Sequence, residues 1–299
     1  MALSGAFLSL YVDLVRPDPG FQDSRGITTI GQYLGDNILI GMPFEVVERL
    51  SDEMTSIQAA ATITRTTTIV ESASEPTTTG LVSAEFFTGL RPRLALGRGF
   101  SAEDHAGEGE PMAVLSYRYW QQQFDGDASV IGTVLAISWD PGSFYQSGSF
   151  LSGEPEQDSA RFRIVGVMAE ALPRVDWVEP GIWVPLERAW PLFVGTAATL
   201  QSYTGQGTLV RRAPGVSTAA VANELRARYD SSDAFPGRVP GTQLEAIDGI
   251  VSKISVQREP KRQLEMFLAG SLLLVIVAGA NVCRGRPTSG SAPGSRRRL

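Results

Sequence analysis

Apolar and polar positions along this chain follow two periods, and the change from one to the other outlines its elements. From Gly41 to Met54 the apolar residues Phe44, Val47, Leu50 and Met54 recur at spacings of three and four, the signature of one helix face, and Pro43 suits a first helical turn. Ile57 to Val70 is rich in Thr, Ile and Ala and favours a strand. Gly207 to Arg212 reads as another strand. Ser217 is then positioned to cap a helix running to Tyr229, with Val216 stapled onto Val221, and with Val221, Leu225 and Tyr229 on one face. Thr242 to Ile250 reads as the next strand. A strand-helix-strand unit is thus expected near each end of the body.

The stretch between these units has a different texture. Ser83 is expected to cap a short helix from Ala84 to Gly89, and Leu94 to Phe100 reads as a glycine-bearing turn. Met112 to Leu115 reads as a short buried strand, followed by a helix from Tyr117 to Phe124 capped by Ser116, with Tyr117, Trp120 and Phe124 on one face. Val130 to Ile137, Arg161 to Val167 and Ile182 to Pro185 have strand character. Asp140 to Ser159, full of Ser, Gly, Pro and acids, is expected to be an exposed loop. The fold class that follows is α+β: two strand-helix-strand units with a β-rich subdomain between them.

The two ends differ from the body. Met266 to Cys283 is 18 residues without a charge; as a helix it reaches about 27 Å, enough to cross a hydrocarbon core. Five arginines and no acid follow it, the one-sided excess that places residue 284 onward in the cytoplasm. Ala2 to Val12 is apolar but too short to span and reads as part of a transmembrane helix. Residues 284–299 are Gly, Ser, Pro and Arg, with the composition of a disordered basic tail.

Composition narrows the chemistry. The 299 residues carry 26 basic and 32 acidic side chains, and without the arginines after Cys283 the remainder stands at net −11. An acidic body repels phosphate backbones, which argues against a nucleic-acid partner. The bases are arginine apart from Lys253 and Lys261, which reads as a compositional bias of the genome. One cysteine, Cys283, and one histidine, His105, leave no intrachain disulfide and no Cys- or His-rich metal site. A Ser-His-Asp triad would have to use His105, which lies in a polar run and reads as a solvated loop residue. Glu103/Asp104 and Glu154/Glu156 are paired carboxylates in polar sequence, where solvated charge is the expected state. Tyr117, Tyr119, Trp120 and Phe124 read as core rather than as a stacking platform. No phosphate-binding GxxxxGK[ST] loop occurs, and Gly97-Arg98-Gly99-Phe100 reads as a structural turn. No catalytic, cofactor-binding or metal-binding residue is therefore assigned, and no cofactor is expected.

A longer ordered series does carry a resemblance. Leu81 to Phe87, Leu96-Gly97-Arg98-Gly99-Phe100, Glu103-Asp104, Pro111 to Tyr117 with Trp120 and Phe124, Gly126-Asp127, Val130-Ile131-Gly132 and Ile164 to Val167 together resemble the MacB-like periplasmic core domain of FtsX-type ABC exporter permeases. Leu272 to Val282 resembles the start of the second transmembrane helix of that family. The resemblance implies a partial N-terminal transmembrane helix over 1–16, a periplasmic core over 17–262 built as a porter-like α+β strand-helix-strand lobe with an inserted β-rich lobe over 80–203, a transmembrane helix over 263–283 and a tail over 284–299. It implies an inner-membrane protein working with a separate ABC ATPase, with a periplasmic adaptor and a homodimer as further partners. It also implies four transmembrane helices, of which this sequence carries part of the first and the second, so the chain is expected not to transport by itself. The other readings are a membrane-tethered binding or adaptor module, and an extracytoplasmic hydrolase using His105 or a carboxylate pair.

Overall fold

The computed structural model describes residues 20–249 except 35–37, 74, 107–108, 140–158, 171–179, 195–199, 201–204, 206 and 231–239. The expected membrane segments, the basic tail and all but the last residue of the loop Asp140 to Ser159 lie outside the described residues. Among the described residues no helix is long and apolar enough to cross a membrane.

The chain opens with β1 (Ile27–Leu34) and a short antiparallel partner, β2 (Ile38–Ile40). Helix α1 (Phe44–Glu53) follows Pro43 and buries Phe44, Val46, Val47 and Leu50. Then come β3 (Ile57–Val70), β4 (Thr77–Val82), α2 (Glu85–Thr88), β5 (Leu94–Gly97), α3 (Ala102–Ala106), β6 (Met112–Leu115) and α4 (Tyr117–Phe124). The rest is β7 (Val134–Trp139), β8 (Ser159–Met168), β9 (Ile182–Pro185), α5 (Leu186–Val194), β10 (Gly207–Arg212), α6 (Thr218–Tyr229) and β11 (Gln243–Asp248). Ser116 and Ser217 cap α4 and α6 through their hydroxyls, which accept the N–H groups of Tyr119 and Ala220.

These strands form one mixed sheet in the order β11-β1-β10-β3-β4-β9-β6-β8-β5, with β7 joining β3 to β8. The register of β3 explains how. At Ile63 it pairs with Gly207 of β10 on one side and Val82 of β4 on the other. At Thr68 it still pairs with β4 through Thr77, but the opposite side has passed to Trp139 of β7. On β8, Arg163 lies between Met112 of β6 and Val134 of β7. The pairings therefore close a ring, β3-β4-β9-β6-β8-β7 and back to β3. A strand of fourteen residues, roughly 45 Å of extended chain, belongs to both the open half of the sheet and the ring.

Each half has its own core. In the open half, Ile30, Val210 and Leu244 meet Val47 and Leu50 of α1 and Leu225 of α6. In the ring, alternate residues of all six strands converge on one cluster, with Leu135, Ile137 and Trp139 of β7 and Phe162 and Ile164 of β8 among them; Trp190 and Phe193 of α5 and Trp120 of α4 pack against these. A third cluster on the other side of the sheet is aromatic, with Phe86 stacked on Trp183 at 5.4 Å and Phe87 edge-on to Phe100 at 4.9 Å. On the face of β3 between Ala60 and Val70, the side chains are four buried threonines, Thr62, Thr64, Thr66 and Thr68. Thr68 Oγ1 lies 2.7 Å from Thr79 Oγ1 of β4.

Three sequence expectations change. The strand expected from Val130 begins at Val134, because Asp127 captures the Ser129 N–H at 2.8 Å and winds residues 128–130 into a 3-10 turn. Ser83 does not cap α2; its hydroxyl accepts the Thr62 N–H at 2.9 Å and so ties β4 to β3. Part of the turn expected at Leu94 to Phe100 is strand β5, and the chain turns only at Gly97, where φ is +63° and a Cβ would sit 2.2 Å from the Val165 carbonyl oxygen.

Candidate functional site

The only histidine is in a different setting from the one its neighbours suggest. His105 is 5% exposed, in α3, rather than in a solvated loop. Its Nδ1 hydrogen-bonds Oε2 of Glu187 at the start of α5, and Glu187 Oε1 accepts the Ala84 N–H ahead of α2 at 3.1 Å. The imidazole ring sits edge-on to Phe100 at 5.9 Å. Local sequence does not show this, because His105 lies in a polar run and its partner is 82 residues away.

Asp104 departs from expectation in the same way. Burial pushes its carboxyl upward, but the hydrogen bonds from Arg98 and from Ser101, with the Arg98 charge, outweigh that and hold it below the usual aspartate range. Arg98 Nη1 reaches Asp104 Oδ2 at 2.5 Å, and the Ser101 N–H donates to the same oxygen at 2.8 Å. This closes the turn that leads into α3. Glu103 lies beside it, while Glu154 and Glu156 fall outside the described residues.

The arrangement resembles the base-and-orienter half of a catalytic site, with a carboxylate holding an imidazole. The other half is missing among the described residues. His105 Nε2 is buried and has no hydrogen-bond partner, so no hydroxyl or thiol stands where a nucleophile would have to be. What the pair does in this fold is join three segments: α3, α5 and the chain entering α2. Tyr119 and Trp120 are buried in the ring core, with Tyr117 and Phe124 packed against it. Among the described residues no three His, Cys, Asp or Glu side chains gather as metal ligands.

Three further polar nodes hold the open half. Glu224 of α6 accepts the N–H groups of Thr55 and Ser56, both at 2.9 Å, at the turn between α1 and β3. Burial alone would raise its carboxyl; the hydrogen bonds from Ser56 and Thr55 leave it below the usual glutamate range. Tyr229, at the end of α6, donates to Glu53 of α1; burial, then this hydrogen bond, pushes its hydroxyl well above the ordinary tyrosine value. Arg211 of β10 is a buried guanidinium that donates to the carbonyls of Gly89 and Leu90 after α2. Sequence alone does not mark it, because its partners are backbone oxygens.

A broad opening lies at the rim of the ring. An open cleft of about 510 Å³ runs between α5, the start of β8 and the segment ahead of β6, with Arg161 and Arg188 among its lining residues.

Compared with known families, residues 6–228 match the model of the MacB-like periplasmic core domain. The chain belongs to that family. This is a domain of MacB-like ABC transporter permeases and not of a known enzyme class, and such permeases work with an ABC ATPase in the inner membrane. Among solved structures, the periplasmic region of MacB from Actinobacillus actinomycetemcomitans aligns over 85% of this chain and 98% of its own, at 12% identity and a TM-score of 0.51. The extracellular domain of the noncanonic ABC-type transporter YknZ from Gram-positive bacteria aligns over 73% and 98%, at 14% identity and a TM-score of 0.47. A search of curated proteins returns no match. The resemblance read from Leu81 to Val167 thus holds as family membership, over a longer stretch than the motifs that suggested it.

Proposed function

We propose that this MacB-like core domain is the extracytoplasmic lever of a permease subunit, held at the inner membrane by apolar segments at its ends. A separate cytoplasmic ATPase drives those segments, and the domain carries the motion to a substrate or a periplasmic adaptor, with two copies acting as a homodimer. The observation that supports this reading is the continuity of β3 across the open half and the ring. Backbone hydrogen bonds run through the junction and buried threonines fill one face, so displacement of one half is transmitted to the other rather than absorbed at a hinge. Residues 80–203 form the inserted lobe in this reading: apart from β3 and the first residues of β4, every ring strand falls within that range.

The test has two parts. A reporter active only in the cytoplasm, fused after Arg286, is expected to be on, and fused near Gly205, off; equal activity at both points defeats the topology. Co-expressed with an ATPase subunit encoded beside it, the full chain is expected to co-purify with that subunit and change its ATP turnover. An ATPase that neither binds nor responds defeats the coupling and favours a tethered adaptor.

A further inference from the structure

The cleft at the ring's rim has an incomplete strand edge at its base. Ser159 to Arg163 of β8 pair with β7 on one side. On the other side β6 joins only at Met112, opposite Arg163, and the Arg163 N–H reaches back to the Pro111 carbonyl at 2.8 Å. Continued by one step, this parallel register would set Pro111 against the Arg161 carbonyl, and proline has no N–H to give. The next acceptor upstream, the Gly109 carbonyl, is taken by the Arg188 guanidinium. The pairing of β6 with β8 therefore stops at Arg163, and the main chain at Arg161 faces the cleft.

The side chains around this edge favour one kind of occupant. Pro111, Ala136, Ala160 and Leu192 give the cleft an apolar lining, and Arg161 and Arg188 give it positive charge. The carboxylate among the lining residues, Glu110, is engaged by Arg163 at 2.5 Å. No described group pairs with the Arg161 guanidinium. In a body with an excess of acids, this is a local reversal of sign.

We propose that the cleft binds a short, extended, acidic segment of a partner polypeptide. The segment adds as a strand along Arg161, sets a carboxylate between Arg161 and Arg188, and lays an apolar side chain on Leu192. At this edge the main chain of Arg161 offers one N–H and one carbonyl to the added strand. This inference rests on the cleft alone and stands whether or not the domain is driven by an ATPase.

The experiment uses the full-length chain in detergent and a fluorescein-labelled Val-Glu-Val-Glu-Val peptide, read by anisotropy. The controls are a Lys-for-Glu peptide and an acidic peptide N-methylated on the backbone. Saturable binding of the acidic peptide is expected, at least tenfold tighter than either control, and weakened at least tenfold by Arg161→Glu and severalfold by Arg161→Ala. No described group bonds the Arg161 side chain, so both variants should retain the wild-type melting curve. Absence of binding, equal binding of the lysine peptide, or unchanged affinity in Arg161→Glu overturns the proposal. Equal binding of the N-methylated peptide overturns strand addition, and competition by inorganic phosphate at equal concentration marks a simple anion site instead.

Discussion

Around α1 and α6 the sheet is open, with aliphatic side chains beneath two helices and polar ties at their ends: Glu224 to the turn before β3, and Tyr229 to Glu53. In the ring the strands close on each other around a core that mixes aliphatic with large aromatic side chains, Trp139 lying edge-on to Phe193 at 4.2 Å. Closure gives every ring strand a neighbour on both sides over most of its length, with the edge at Arg161 as an exception, whereas the open half depends on its helices staying docked. The difference locates the weak points: volume in the ring, helix docking in the open half.

The largest expected effect follows from that contrast. Phe193→Ala should lower unfolding stability by about 3–5 kcal/mol and Leu225→Ala by about 2–4 kcal/mol, since each leaves a cavity among fully buried neighbours. Urea unfolding measures both, and it also tests the junction. Trp120, Trp139, Trp183 and Trp190 belong to the ring strands or pack against them, so tryptophan fluorescence follows the ring. If β3 couples the halves, Leu225→Ala shifts the fluorescence midpoint although it is made in the other half. A shift seen by circular dichroism but not by fluorescence would show two separable units.

The elements were largely legible in the sequence, and their closure was not. Periodicity located α1 and α6, composition located β3, and serines marked the starts of α4 and α6, because face, propensity and cap are local properties. The pairing of Thr68 with Trp139 that closes the ring has no local signature, since alternation states which face is buried and not which strand lies alongside. The His105 node failed for a related reason. Polar neighbours predict exposure only while no carboxylate arrives from elsewhere, and Glu187 arrives from α5. The cleft was equally hidden: Arg161 and Arg188 lie 27 positions apart and meet only through the fold.

A middle-sized effect should come from that node, which joins α3, α5 and the chain entering α2. His105→Ala removes the partner of a partly buried carboxylate and should cost about 1–3 kcal/mol. Glu187→Gln keeps an oxygen for the Ala84 N–H and should cost less. If His105→Ala is neutral, the pair is not a structural tie, and a functional role for the imidazole has to be sought in its place.

The smallest effects are two pH dependences of opposite sign. Glu224 has its pKa lowered: burial raises it, but the hydrogen bonds from Ser56 and Thr55 outweigh burial. A depressed carboxylate contributes stability above its unfolded value, and that contribution is lost as pH falls through the folded value. Glu85, at the start of α2, has its pKa raised, first by burial and then by the nearby charge of Asp52. Its contribution is fully present below the unfolded value and is lost as pH rises through the folded one. Glu224→Gln should therefore lower the melting temperature at pH 7 and flatten the fall in stability below about pH 4.5. Glu85→Gln should raise the melting temperature slightly at pH 7 and leave it unchanged near pH 3, where the wild-type carboxyl is already neutral. Thermal melts of the two variants and the wild type across pH 3 to 7 decide both. The same sign for both would mean that the Glu224 hydrogen bonds do not outweigh the cost of burying its charge, and that the docking of α6 rests on its apolar face and on the tie from Tyr229 to Glu53.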